Sequence, residues 1–490
     1  MKKQQKTCLS RTLINGPKII TADGRGSKSK RLAGIFAAAY AAVIMTGCGN
    51  SFVPPVSEVP IKPVDDLYIE NHYEGVAPSE ELTTETFSSA DGLCVIEKKE
   101  SYYDVTLDLE KGSHRNAGRA YGETLLKACP DTGGFLEPYL FENIRTAFPD
   151  LEGDYSGLQK RIDDITESLD TDYREELEGF AEAAGNGVKG FAKDGVLSSD
   201  EAKLISLVPD VLRPTMCSAV SLDGSRTATG ERLNARLLDW DPGSDRQICR
   251  AHCLLHMKNG EKSFTAVTQT GVLSPHTAIN DDGLMLSIFD VGSYDGVPFE
   301  SEGRTSYTFD MRYCLENYAS ARDAGKYLVG RSRYYTFCVN MMLTDREDAL
   351  CAELMCTGNK EDGRSLLRDS STKLNPGVEW DAPGVLCIVN SFAADGNYDG
   401  ITGVSQNIYR WIKFGKLFSG NEKFTAGRFK ELLTCEKQND LVVNFRNKGT
   451  IHMVIADYSD CTLQAVFAGE NENPDTPEFI DLGTWQREKQ

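Results

Sequence analysis

Short apolar runs set off by turn residues fill the second half of the chain: Phe264 to Thr268, Leu284 to Phe289, Phe337 to Met342, Val385 to Val389 and Ile451 to Ile455. Each run is strand length, is bounded by Asp-Gly, Asn-Gly or charged turns, and is apolar at nearly every position, which predicts strands of a covered sheet. Helical spacing lies between them, at 320–330 and 426–433. Ahead of residue 217 the period changes. A strand-like stretch from Gly92 to Leu109 gives way to helical patterning as far as about Leu207, and Tyr173 to Gly185 places apolar residues at helical intervals before a glycine stop. An α-rich front joined to an α/β rear follows, with no internal repeat.

The first 47 residues read as an export signal. Lys28, Lys30 and Arg31 precede an uncharged run from Leu32 to Ile44, followed by Met45-Thr46-Gly47-Cys48. The run falls short of the ~20 residues a membrane span needs. Small residues before a cysteine resemble the lipobox of bacterial lipoproteins, and that resemblance implies a lipid anchor on Cys48. Residues 48–91 are rich in proline and acidic residues and predict a semi-extended tether. The expected units are therefore 1–47 signal, 48–91 tether, 92–216 mainly helical and 217–490 catalytic.

The net charge is −20, which argues against a nucleic-acid partner, since phosphates demand basic patches. Of the 14 cysteines, Cys8 lies in the signal, Cys48 is the lipid acceptor and Cys217 is the candidate nucleophile. An odd number is left, most of them single residues inside apolar strands (Cys338, Cys351, Cys387), where cysteine acts as a small buried hydrophobe. Mostly reduced thiols are expected.

Cys217 carries the chemistry. It opens Cys217-Ser218-Ala219-Val220-Ser221-Leu222 and is followed by Ala235-Arg236-Leu237-Leu238-Asp239-Trp240. If the chain is cut between Met216 and Cys217, thiol and α-amine share one residue. An amine with an ordinary pKa of about 7.7 to 8.0 then serves as the base with no histidine partner. Arg236 and Asp239, three apart, alternate badly for one strand face, so one of them is expected past the strand end, where Asp239 to Gly243 turns.

In order along the chain, Cys217-Ser218, Ala235 to Trp240, Ala278-Ile279-Asn280-Asp281-Asp282-Gly283-Leu284, Val389-Asn390-Ser391-Phe392 and Ser405 to Arg410 resemble the N-terminal-nucleophile hydrolases of linear amides. The similarity is to the acyl-coenzyme A:6-aminopenicillanate acyltransferase branch, with choloylglycine hydrolases and acid ceramidase as cousins. The resemblance implies an α+β, four-layer αββα sandwich behind a mainly helical N-terminal segment, self-cleavage before Cys217, and attack on a small-molecule N-acyl amide without cofactor or metal. Carried across, Cys217 is the nucleophile and Arg236 and Asp239 hold its amine and the substrate. Asn280 and Asn390 are the oxyanion donors, and Arg410 is a late supporting arginine. Met216 departs from the glycine common before the nucleophile, and Ser391 stands where a histidine is frequent. Two rival readings share the anchor and tether: a solute-binding or cell-envelope lipoprotein on an inactive form of this scaffold, and a phospholipase-like ester hydrolase.

Three further patterns point to bland roles. Gly185-Asn186-Gly187-Val188-Lys189-Gly190 matches a nucleotide-loop pattern but falls where a helix ends rather than begins. Asp395, Asn397 and Asp399 begin like a calcium loop but meet Gln406 at the twelfth position. Cys249, His252, Cys253 and His256 lack zinc spacing and read as part of a hairpin with exposed polar residues.

Overall fold

In the computed structural model the apolar runs become two sheets facing each other, with helices on the outer side of each. Residues 73–149, 151, 153–212, 215–292, 299–356, 364–397, 405–434, 449–471 and 477–485 are described. The expected signal, Cys48 and most of the expected tether lie outside them.

The larger sheet runs in the order β1-β2-β3-β6-β7-β8-β9-β10-β11-β12. These strands are β1 (Glu85–Ser88), β2 (Cys94–Lys98), β3 (Tyr103–Asp108), β6 (His252–Lys258), β7 (Phe264–Gln269), β8 (Thr277–Asn280), β9 (Met285–Gly292), β10 (Cys338–Thr344), β11 (Ala349–Leu354) and β12 (Leu366–Arg368). The smaller sheet runs β13-β4-β5-β14-β15-β16, from β13 (Val385–Ile388), β4 (Thr215–Leu222), β5 (Leu233–Trp240), β14 (Thr450–Asp457), β15 (Thr462–Phe467) and β16 (Ile480–Thr484). Strands β4 and β9 touch across the interface between the sheets. Every residue of β5, β10 and β14 is buried, which is why β10 and β14 read as nearly continuous apolar runs rather than alternating strands.

Helices α1 (His114–Ala128), α2 (Thr132–Ala147), α3 (Ser156–Ser168), α4 (Thr171–Ala184) and α5 (Ser199–Val211) precede Cys217, and α6 (Tyr307–Asn317) and α7 (Ala321–Arg331) follow it. Of these, α1, α6 and α7 lie on the larger sheet. Helix α8 (Ser405–Leu417) lies on the smaller sheet, and α9 (Ala426–Thr434) follows it in the chain. The layers are thus α, β, β, α. Helices α1 and α4 cross closely because glycines line the contact: a Cβ on Gly118 would sit 1.9 Å from the Glu176 carbonyl oxygen, and one on Gly179 would sit 2.1 Å from that of Arg115. Helix α5 opens with a full capping box, Ser198 and Glu201 each bonding the other's backbone N–H.

Two expectations change here. Residues 85–88 of the anticipated tether form β1, paired along its length with β2, because Phe87 finds an apolar surface to lie on. The mainly helical front also supplies more of the larger sheet than its one strand-like stretch from Gly92 to Leu109 predicts: β3 pairs in parallel with β6, and the chain before Cys217 contributes three strands. Long-range pairing of this kind leaves no local mark in the sequence.

Candidate active site

Strand β13 accompanies β4 only as far as the pair Ile388 and Ala219. It then turns away at Val389 to Ser391, where the Ser391 N–H donates to the Val389 carbonyl at 2.8 Å. In a strand the N–H and C=O of one residue point to the same side, so the departure strips the ladder from Cys217 on that side. Side chains replace it. The Cys217 N–H donates to Asn390 Oδ1 at 2.7 Å, and Arg410 Nη1 donates to the Cys217 carbonyl at 2.6 Å. From the other neighbour, Arg236 Nη2 donates to Cys217 Sγ at 3.2 Å. The register pairs Ala219 with Arg236 and Cys217 with Leu238, so Arg236 lies diagonally across the same face from the thiol.

The surrounding charges are buried and arranged to cancel. Arg236 and Arg410 are fully buried, Asp290 is 2% exposed and Asp239 is 4% exposed. Arg410 Nη1 lies 3.6 Å from Asp239 Oδ2, and its Nη2 donates to Asn390 Oδ1 and Asn407 Oδ1. Asp239 also accepts from the Thr450 hydroxyl. Burial pushes the Asp239 carboxyl above its usual range while Arg410, Thr450 and Arg236 pull it back. Contrary to the expectation that Asp239 or Arg236 falls past a strand end, both lie inside β5. The irregularity is in β14, whose register against β5 shifts between Thr450 and His452, and it brings Thr450 opposite Asp239.

Burial raises the Cys217 thiol to about 12, with Arg236 and Arg410 opposing and Asp290 and Asp239 adding to the rise. At neutral pH it is protonated. The nearby imidazoles are poor bases: burial takes His276 down to about 3, and burial with Arg236 holds His452 well below its ordinary value. Neutral His452 instead presents Nε2 to Arg236 Nη1 at 3.3 Å and steadies the guanidinium.

Cys217, Arg236, Asp239, Asn390 and Arg410 are brought together. Asn280 is not among the groups that touch them. Its amide donates to the carbonyls of Leu315 and Tyr318 and its Oδ1 accepts from the Leu284 N–H, so it ties the β8–β9 turn to the end of α6 and has no proton left for an oxyanion. Asn390 commits one Nδ2 proton to the Asp290 carbonyl at 2.8 Å, and its Oδ1 accepts from the Cys217 N–H. Met216 is half-buried inside β4, opposite Asp239. The arch that carries Asn390 is fixed by Asn340, whose Nδ2 donates to both the Val389 and the Ser391 carbonyl. Replacing Asn390 with leucine removes the acceptor from Cys217 and Arg410, and cleavage before Cys217 is expected to slow by roughly a hundredfold, measured as fragment appearance on a gel with time.

Sequence reasoning missed Asp290, Tyr307 and Asp210. Tyr307 OH donates to Asp290 Oδ1 at 2.6 Å. Asp210, at the end of α5, accepts from the Ser306 and Thr308 hydroxyls and the Tyr307 N–H. This network joins the last helical turn before Cys217 to α6 and β9. The one sequence signal was a pair of aspartates at the ends of apolar runs. Burial raises Asp210 to about 7 from 3.8, and Asp290 adds to the rise. The folded chain therefore holds a proton that the unfolded chain releases, so stability falls as pH climbs through that interval. Urea midpoints across it should slope downward, and Asp210→Asn should flatten that slope.

The other singled-out residues have structural partners. Gly185 caps α4. Asp395 pairs with Lys373 and Asn397 donates to Glu353, while Asp399 lies outside the described residues. His252 Nε2 lies 3.0 Å from the Ala468 carbonyl and Cys253 lies near Tyr121. His252 is 1% exposed, so this hairpin buries a polar residue that was expected at the surface.

No family model and no curated protein matches the chain. Solved structures that overlap it include a Caenorhabditis elegans ortholog of N-acylethanolamine-hydrolyzing acid amidase, at TM-score 0.34 and 14% identity, covering 49% of this chain and 92% of that one. A conjugated bile acid hydrolase mutant from Clostridium perfringens overlaps at TM-score 0.31 and 11% identity, covering 55% of this chain and 92% of that one. Penicillin V acylase from Agrobacterium tumefaciens overlaps at 0.28 and 13%, covering 55% and 93%. At these values the overlaps assign no chemistry; that rests on the geometry around Cys217.

Proposed function

We propose that this chain is a self-processing cysteine amidohydrolase or acyltransferase of the N-terminal-nucleophile type, anchored outside the cytoplasm through a lipid on Cys48 and acting on a small-molecule, non-peptide N-acyl amide. The observation that carries the proposal is that the N–H, the C=O and the Sγ of Cys217 are each held by a different side chain, Asn390, Arg410 and Arg236. A core cysteine at this point would need partners for its N–H and C=O, but no guanidinium at its sulfur. A residue that must become both an amine terminus and a nucleophile needs all three.

In the first step the Cys217 thiol adds to the Met216 carbonyl, the C–N bond gives way and the acyl group moves to sulfur. Water then hydrolyses the thioester, leaving a Met216 carboxylate, a free thiol and a free α-amine. Asn390 Oδ1 is placed to orient that amine. In turnover the amine takes the thiol proton, the thiolate attacks the substrate carbonyl, and the proton passes to the leaving amine as the thioester forms. Water or an acceptor amine resolves the thioester. Arg236, beside the sulfur, stabilises the thiolate as it develops, which matters because the thiol starts from about 12.

The test is the intact mass of the purified wild type beside Cys217→Ala. Two wild-type fragments, the second spanning 217–490, with an uncut variant support the proposal. A single uncut chain in both sinks the processed-nucleophile mechanism and favours a binding protein. Matched amide and ester substrates then separate this activity from a phospholipase-like one.

A further inference from the structure

A second sulfur site lies outside the set that holds Cys217. Cys338 opens β10, and Cys356 stands two residues beyond Leu354, the last residue of β11. Their Sγ atoms are 3.3 Å apart, and Cys338 Sγ lies 3.6 Å from Met355 Sδ. The two residues are 1% and 5% exposed. The β10–β11 ladder ends at the pair Val339 and Leu354, and the register of β10 against β9 shifts between Cys338 and Val339. Cys338 keeps its pairing with Gly292 of β9 beside the register shift, while Cys356 lies past the end of the β10–β11 ladder, where the alternation of successive strand residues no longer applies. That freedom lets Met355 and Cys356, neighbours in sequence, both reach Cys338.

We propose that Cys338 and Cys356 are a dithiol site that closes to an intramolecular disulfide with a low-molecular-weight disulfide as oxidant. The thiolate of one cysteine attacks a sulfur of the small disulfide, forming a mixed disulfide and expelling one small thiolate. The second cysteine then attacks the protein sulfur of that mixed disulfide and expels the other. Two electrons pass from the protein pair to the oxidant, and the two protein protons leave on the two small thiols. Closing from contact distance to a bond of about 2.05 Å needs a movement of roughly 1 Å, which Cys356, past the end of the β10–β11 ladder, can supply. The bond would pin the start of β10, where Val339 pairs with Asp290 and Asn340 supports the arch bearing Asn390. Oxidation thus stiffens the wall behind Cys217 without touching it. This site does not depend on what Cys217 does.

The full chain is incubated with oxidised glutathione, quenched by alkylation, digested and mapped. The expected result is a peptide pair joined through Cys338 and Cys356 and lighter by two hydrogens than its reduced parts, absent from Cys338→Ala and from Cys356→Ala. Cys94, Cys253, Cys351 and Cys387 are recovered as alkylated thiols or only after unfolding. The oxidised wild type should melt a few degrees above the reduced form, a difference that either variant abolishes. Recovery of both cysteines as thiols, or of a mixed disulfide that never resolves, overturns the proposal. If Cys338→Ala does not fold, Cys356→Ala, at the more exposed position, carries the same comparison.

Discussion

Replacing Cys217 with alanine is expected to leave one uncut polypeptide and to lower amide turnover by at least about 10⁴-fold, measured as kcat/KM on a chromogenic N-acyl amide. The loss should be nearly all in kcat, since Arg236, Arg410 and Asn390 are unchanged. The wild-type pH profile supplies an independent check. With the thiol at about 12 and the neighbouring imidazoles held neutral, the base expected to accept the thiol proton is the α-amine that cleavage would create. Protonated, it cannot take the thiol proton, so turnover should rise with pH through about 7 to 8. A profile governed by a group near 6 would point to a histidine base and contradict the assignment.

Glu176→Ala should cost about 3–5 kcal/mol of stability, measured by urea unfolding of the uncut Cys217→Ala chain so that the transition is unimolecular. Arg312 and Glu176 are both fully buried and meet through two parallel bonds, at 2.8 and 2.9 Å. The pair is extended by Glu316 on Arg312 Nε, His114 on Glu176 and Tyr173 on Glu316. Removing Glu176 leaves a guanidinium in the interior with Glu316 as its one remaining carboxylate, which is why the penalty exceeds that of a surface pair. Burial works against the charge on Glu176, but Arg312 and His114 outweigh it and hold the carboxyl below its ordinary 4.5. A depressed carboxyl contributes stability that is present above its unfolded value and lost as pH falls through its folded one. Acid should therefore weaken the wild type below about pH 4.5 and affect Glu176→Ala less. Because Glu176 lies before Cys217 and Arg312 after it, the pair also bridges the two fragments that cleavage would produce.

Local pattern determined a good deal of this protein. The fully apolar runs became buried strands because a strand covered on both faces has no polar side to show, and the helix ending at Gly185 was marked by its spacing and its stop. Cys217 and Arg236 were legible as a pair because consecutive strands usually lie side by side, and neighbouring strands brought them onto one face. What lay beyond local pattern was decided by tertiary structure. Asn280 and Asn390 look alike in sequence, each an asparagine beside an apolar run, yet one ties a turn to α6 and the other holds the nucleophile. The difference is where a distant ladder stops: β13 leaves β4 beside Cys217, and the orphaned backbone groups must be satisfied by whatever side chains the arch and α8 deliver. Buried polar groups take the partners that three-dimensional proximity offers. That proximity also placed Asp290 among the charges around the thiol and carried β1 to β3 into a sheet whose other strands all follow Cys217.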